Sequence, residues 1–160
     1  MTIKPGDKIP AATVYEMGSD GPGSVTTAEL FNGKTVVLFG IPGAFTPTCS
    51  ASHLPGFVKF SEQIKAKGVD DIVCFAVNDA FVMGAWGKDQ GTAGKVRMIA
   101  DGSAELTKKM GLELDLTGKG LGLRCDRFAM VVKDGVVQSI DREAPGAFEV
   151  SSAEAQLSKL

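Results

Sequence analysis

The chain has 160 residues, a formal net charge of −2 and 44% hydrophobic residues, the balance of an ordinary globular chain of one-domain size. That balance excludes a phosphate-backbone binder, since the densest basic cluster is the pair Lys108-Lys109. No apolar run approaches the roughly 18 residues of a membrane span, and the glycines follow no period, which excludes collagen-like sequence.

The N-terminal MTIKPGDKIP has one early Lys and no apolar stretch, so it does not read as a secretory leader. Residues 34–41 (KTVVLFGI) are apolar and β-branched, which predicts a strand buried on both faces. The spacing of Leu54, Phe57, Val58 and Ile64 predicts a helix over 47–67, capped near Gly68 and kinked at Pro55-Gly56. A second buried strand is predicted over 71–77 (DIVCFAV) and another over 96–100 (VRMIA). Between them, residues 80–90 put Phe81, Val82, Ala85 and Trp86 on one apolar stripe. Residues 104–110 predict a short helix closed by Gly111, and 112–123 (LELDLTGKGLGL) a long loop. The run 127–132 (RFAMVV) is a further strand, and Lys133-Asp134-Gly135 turns the chain back through 136–140 as an antiparallel hairpin. Ser151 with Glu154 three residues on is a capping-box signature for a helix over 151–160. Strands alternating with helices, with no repeat or linker, define an α/β chain with a central mixed sheet flanked by helices.

The segment 42–49 (PGAFTPTC) joins the end of a buried strand to the start of a helix, where open α/β sheets place their sites. Thr46, before Pro47, is a candidate N-cap, and Cys49 falls in the first turn near free N–H groups and the positive end of the helix. A free thiol is mostly protonated at neutral pH, and lowering its pKa by about 2.5 units takes roughly 3.4 kcal/mol. A helix terminus contributes about 0.3–1 kcal/mol, at most ~2. A cation must supply most of the rest. Arg124 and Arg127 are the candidates, since an Arg opening a core strand needs an anion beside it. A thiolate is one such anion, and an Asp or Glu is the other.

The three cysteines lie far apart and form neither a disulfide framework nor a C-x-x-C, so free thiols in a reducing, cytoplasmic setting are expected. Cys74, inside VCFAV, reads as a small core residue. Cys125 would share a face with Arg127 if the strand extends back to it, though a disulfide needs Cα atoms within ~7 Å. His53, four residues after Cys49, could serve as the base of a Cys–His hydrolase. No orienting third group is evident, and the expectation is a histidine at a subunit surface. Phe45, Phe81 and Trp86 read as core. GIPGAFTPT lacks the Gly-Lys pair of a phosphate loop. Ser158-Lys159-Leu160 has the form of a peroxisomal import signal if the source is eukaryotic.

PGAFTPTC, followed by HLPGF, VCFAVND, FVMGAW, ADGSAEL, GLELDL, GLGLRCDRFAMVV and FEVSSAE, resembles the type II/type 5 branch of the peroxiredoxins from about Ile3 onward. The resemblance implies one thioredoxin-like domain over residues 1–160 with extra N-terminal strands, and reduction of hydrogen peroxide and organic hydroperoxides without metal, haem or flavin. It implies that Cys49 is the peroxidatic cysteine, with Thr46, Arg127 and Pro42 as the other site residues, Pro42 packing over the sulfur and Arg124 an accessory charge. Relatives that resolve the sulfenic acid internally carry a cysteine near the C-terminus, and residues 145–160 have none. An external thiol, glutathione with glutaredoxin or thioredoxin, is therefore implied, with Cys74 and Cys125 as lesser candidates for a resolving role. The resemblance also implies a homodimer built on aromatics at the site rim. Two rivals remain: a peroxide sensor that does not turn over, and the Cys49/His53 hydrolase.

Overall fold

The computed structural model describes residues 1–160. Its β-branched and aromatic runs form a seven-stranded mixed sheet. The strands are β1 (Thr13–Gly18), β2 (Gly21–Thr26), β3 (Thr35–Gly40), β4 (Asp71–Ala76), β5 (Arg97–Ala100), β8 (Phe128–Lys133) and β9 (Val136–Arg142), in the spatial order β2-β1-β5-β4-β3-β8-β9. The pairs β3–β4 and β4–β5 are parallel, and β8 lies antiparallel to β3. The β1–β2 hairpin supplies the extra N-terminal strands. Asp134 and Gly135 both have positive φ (49° and 77°), which turns β8 into β9.

Period-two alternation splits the core. Val37, Phe39, Ile72, Cys74 and Ala129 face one layer, and Val36, Leu38, Val73, Phe75 and Phe128 the other. The first layer is covered by helices α2 (Leu54–Lys59), α3 (Ser61–Lys65), α4 (Ala80–Gln90) and α6 (Ala153–Leu157), the second by α1 (Thr27–Phe31) and α5 (Glu105–Met110). Gly40 ends β3 opposite Phe128, and a Cβ there would lie 2.1 Å from the Phe128 ring. Only glycine lets that ring close the second layer beside the segment that follows.

Several expectations need correction. Residues 112–123 are not a loop: β6 (Glu113–Leu116) and β7 (Gly122–Cys125) pair antiparallel as a two-stranded sheet, with the alternating ELDL turning Leu114 and Leu116 to its half-buried face. The kink or break expected at Pro55-Gly56 falls in the turn just before Pro55. A π-helical turn (Cys49–His53) runs into α2, and the helix breaks at Phe60. Pro55 has no N–H and crowds the carbonyl four residues back, which a wide turn before it accommodates. The last helix is capped by Ser152, which accepts from the Ala155 N–H, while Ser151 bonds elsewhere. In α4 the buried stripe is Ala80, Met83, Trp86 and Gly87, so Phe81 (65% exposed) faces out, as does Phe45 at 54%. At the C-terminus Lys159, itself exposed, pairs with Asp141, and the half-buried Leu160 packs on the first core layer.

Candidate active site

Beyond β3 the chain leaves the sheet through Ile41 and Pro42, and two side chains from other elements fix its path. Arg124 donates to the Pro42 carbonyl (3.2 Å), and the Ala44 N–H donates to Asn78 Oδ1 (2.9 Å). Arg124 is thus an accessory charge holding the backbone. Phe45 adopts φ 65°, unusual for a bulky residue and characteristic of a constrained turn. Thr46 is not a side-chain cap: its hydroxyl donates to the Gly43 carbonyl (2.6 Å), leaving its lone pairs for other donors. The Thr46 carbonyl accepts from Ser50 N–H (2.9 Å), and the π turn starts at Cys49. Trp86 Nε1 donates to Ser50 Oγ (3.1 Å), tying α4 to this turn.

The register of β3 with β8 brings in the cation. Gly40 faces Phe128, so Arg127, one residue before β8, lies at the same sheet end as Cys49. Phe128 points into the second layer and Arg127 to the opposite side. Its Nη2 donates to Cys49 Sγ (3.2 Å), its Nη1 lies 2.9 Å from His53 Nδ1, and its guanidinium carbon stands 5.8 Å from the centroid of the Phe148 ring. No carboxylate is within ion-pair distance of Arg127, so of the two partners weighed for it the Cys49 sulfur is the one it meets. Cys49 itself is fully buried. A cavity of about 110 Å³ is lined by Pro42, Thr48, Leu114, Asp126, Arg127, Glu143 and the segment 144–147; neither Cys49 nor Thr46 lines it.

His53 does not lie at a surface. It is fully buried, with Nε2 2.9 Å from the Ser151 carbonyl. The apolar neighbours Leu54 and Phe57 were the sequence signal for that burial. With one nitrogen on a carbonyl and the other on Arg127, neither is free to take a proton from Cys49. Burial, then the Arg127 charge, pushes its pKa down to about 3. Cys125 does not share a face with Arg127, because β7 ends at Cys125 and a new strand starts at Phe128. Its thiol sits in the second core layer and donates to the Ile41 carbonyl (3.1 Å), whereas Cys49 and Cys74 lie in the first. Burial pushes the Cys74 and Cys125 thiols well above the ordinary thiol range. All three cysteines are free.

The chain matches the Redoxin family over residues 4–157. Peroxiredoxin-2C of Arabidopsis thaliana is 49% identical over 153 residues, covering 95% of this chain and 94% of the relative. The solved structure of reduced Prx3 from Vibrio vulnificus in complex with hydrogen peroxide is 50% identical, has a TM-score of 0.95, and is matched over 99% of both chains. The chain belongs to the peroxiredoxins. This peroxiredoxin is a thiol-dependent peroxidase with a thioredoxin-like fold, and neither rival reading is favoured. The hybrid peroxiredoxin hyPrx5 of Haemophilus influenzae is 43% identical, and the chain covers 67% of it. Relatives include chloroplastic forms, and no helix of this peroxiredoxin is long and apolar enough to cross a membrane.

Among the residues around Arg127, Glu143 carried no sequence signal, and FEVSSAE gave no sign of the contacts that Phe148 and Ser151 make. The Glu143 carboxylate accepts from the N–H groups of Glu149, Val150 and Ser151 and from Ser151 Oγ, at 2.7–3.0 Å. Burial alone would raise its pKa, but these hydrogen bonds outweigh burial and hold it below the usual 4.5. A depressed carboxylate pKa adds stability above the unfolded value, which is lost as pH falls through the folded one. Glu143→Gln is therefore expected to destabilise the protein by about 2 kcal/mol at pH 7. The gap from native should shrink on acidification below the unfolded value, as urea denaturation at pH 7 and pH 3 would read. A gap independent of pH would remove the carboxylate's role.

Proposed function

We propose that Cys49 is the peroxidatic nucleophile, that Arg127, Thr46 and Pro42 complete its site, and that an external thiol returns it to the reduced state. The observation that carries this reading is the 3.2 Å hydrogen bond from Arg127 Nη2 to Cys49 Sγ, made by a guanidinium with no competing carboxylate. The thiolate attacks one peroxide oxygen as the O–O bond breaks. The sulfur becomes a sulfenic acid, and the other oxygen leaves as hydroxide or alkoxide and takes a proton. Arg127 stabilises the thiolate and the charge growing on the leaving oxygen. The Thr46 hydroxyl, its own proton on Gly43, accepts from the peroxide O–H. Pro42 and Arg127 also line a space of about 110 Å³ together with the 144–147 segment.

Recycling by glutathione with glutaredoxin, or by thioredoxin, is supported by the placement of the other thiols. Cys125 lies in the opposite core layer, and Cys74 is buried within β4. A thiol condenses with the sulfenic acid, releasing water, and a second thiol reduces the mixed disulfide. The test is mass spectrometry after one equivalent of peroxide plus glutathione. A single glutathione on Cys49 is expected, and a bridge from Cys49 to Cys74 or Cys125 would sink the external-thiol reading. The need for reduction each turnover favours a reducing compartment such as the cytoplasm. A homodimer is supported by the exposed aromatics Phe45, Phe81 and Tyr15, the last two lining one groove with Leu121. Sedimentation as a species of one chain at micromolar concentration would exclude it.

A further inference from the structure

His53 is the single histidine of the chain, and its two ring nitrogens have partners of opposite kind. The Ser151 carbonyl, 2.9 Å from Nε2, can only accept. Arg127 Nη1, 2.9 Å from Nδ1, can only donate. Together they dictate a neutral ring with its hydrogen on Nε2 and a lone pair on Nδ1 aimed at the guanidinium. The ring is wedged among Phe39, Phe57 and Phe148, with centroids 4.9, 5.7 and 4.9 Å away. That lone pair has no room to swing aside. An apolar side chain would fill this place without desolvating two polar atoms. The polar ring calls for an explanation in terms of what its nitrogens hold.

We propose that His53 is a positioning residue for peroxide reduction: its Nδ1 lone pair fixes Arg127 Nη1, so that Nη2 is aimed at the Cys49 sulfur. The proposal rests on Cys49 and Arg127 being the reacting pair. A guanidinium is planar and rigid, so holding one terminal nitrogen orients the other. The chemical type of the acceptor matters as much as its place. A carboxylate at this position would orient Arg127 but also neutralise it, competing with the sulfur for its charge. A neutral imidazole orients the guanidinium and leaves its full charge to the thiolate and the departing oxygen. The ring is anchored in turn. Ser151, whose carbonyl it contacts, gives its N–H (2.8 Å) and hydroxyl (2.7 Å) to the Glu143 carboxylate. A hydrogen-bonded chain thus runs Glu143–Ser151–His53–Arg127–Cys49, from the segment after β9 to the reacting sulfur.

The test uses His53→Leu, which fills the space and makes neither bond, and His53→Gln, whose amide can accept from Arg127 and donate to Ser151. Three quantities are read on the reduced protein: the thiolate fraction at neutral pH by ultraviolet absorbance, the thermal midpoint, and the rate constant for oxidation by hydrogen peroxide. Trp86, the single Trp, is bonded to Ser50 beside Cys49, so its fluorescence follows the oxidation. His53→Leu is expected to react roughly 10–100-fold more slowly with a smaller thiolate fraction, and His53→Gln to stay within about threefold of native. A folded His53→Leu reacting within about twofold of native would overturn the proposal, as would a folded His53→Gln no faster than His53→Leu. Should His53→Leu fail to fold, His53→Asn replaces it, its side chain too short to bridge both partners, and equal rates for Asn and Gln overturn the proposal. Cys49→Ser, run in parallel, separates the two levels. Peroxide reduction that survives it removes the reading of Cys49, whereas its loss beside an unaffected His53→Leu removes only the role of His53.

Discussion

Cys49→Ser is expected to abolish peroxide reduction, with turnover falling by about three orders of magnitude or more. A serine hydroxyl in the same place is not ionised at neutral pH, even beside Arg127 at 3.2 Å, and oxygen cannot form the sulfenic acid that conserves the peroxide's oxidising equivalent. The contrast with the other two cysteines makes the result informative. Cys74 and Cys125 are as fully buried as Cys49, but burial raises both thiols and no cation donates to either. Cys74→Ser and Cys125→Ser should therefore leave the first oxidation largely intact, measured as sulfenic acid trapped after one equivalent of peroxide. If Cys74→Ser stops that oxidation while the protein stays folded, the nucleophile has been misassigned.

Arg127→Gln is expected to slow Cys49 oxidation by roughly 10²–10³-fold, the usual effect of removing one preorganised donor from a developing negative charge. Two contributions add. The resting thiolate loses a charged donor, and the leaving oxygen loses the charge that stabilises it in the transition state. The thiolate fraction at neutral pH, read by ultraviolet absorbance, isolates the first. The rate constant corrected for that fraction isolates the second. Arg124→Gln is the control, since that guanidinium donates to the carbonyls of Leu121 and Pro42 and acts on the backbone of the site. An unchanged thiolate fraction in Arg127→Gln would remove the electrostatic role proposed for it.

The strands were readable because their code is local. KTVVLFGI, DIVCFAV and RFAMVV are each apolar on both faces, as a strand covered on both sides must be, and DG between two such runs turns a hairpin wherever it stands. The errors fall where neighbours outside the segment decide. LELDLTGKGLGL looked like a loop because its glycines mask two short strands that become stable only by pairing with each other. Phe81 and Trp86 are both apolar residues of α4, and only the direction from which the sheet approaches that helix buries one and exposes the other.

Of the residues proposed for the site, Cys49 and Thr46 stand out in a motif and Arg127 as an arginine at the head of a core strand. For His53, the apolar neighbours Leu54 and Phe57 signal burial, but its partners Ser151 and Arg127 are distant in sequence and only the fold brings them to its two nitrogens. Glu143 was invisible for the same reason: its partners are backbone N–H groups, which any sequence supplies.

The sequence by itself determined the α/β class and the strand–helix junction that carries the sulfur, since hydrophobic period and turn chemistry act within a few residues. Only the tertiary structure decided which cation meets the sulfur and what holds that cation. Both depend on strand register, and sliding β8 by one residue against β3 would turn Arg127 to the other face and leave Cys49 without it.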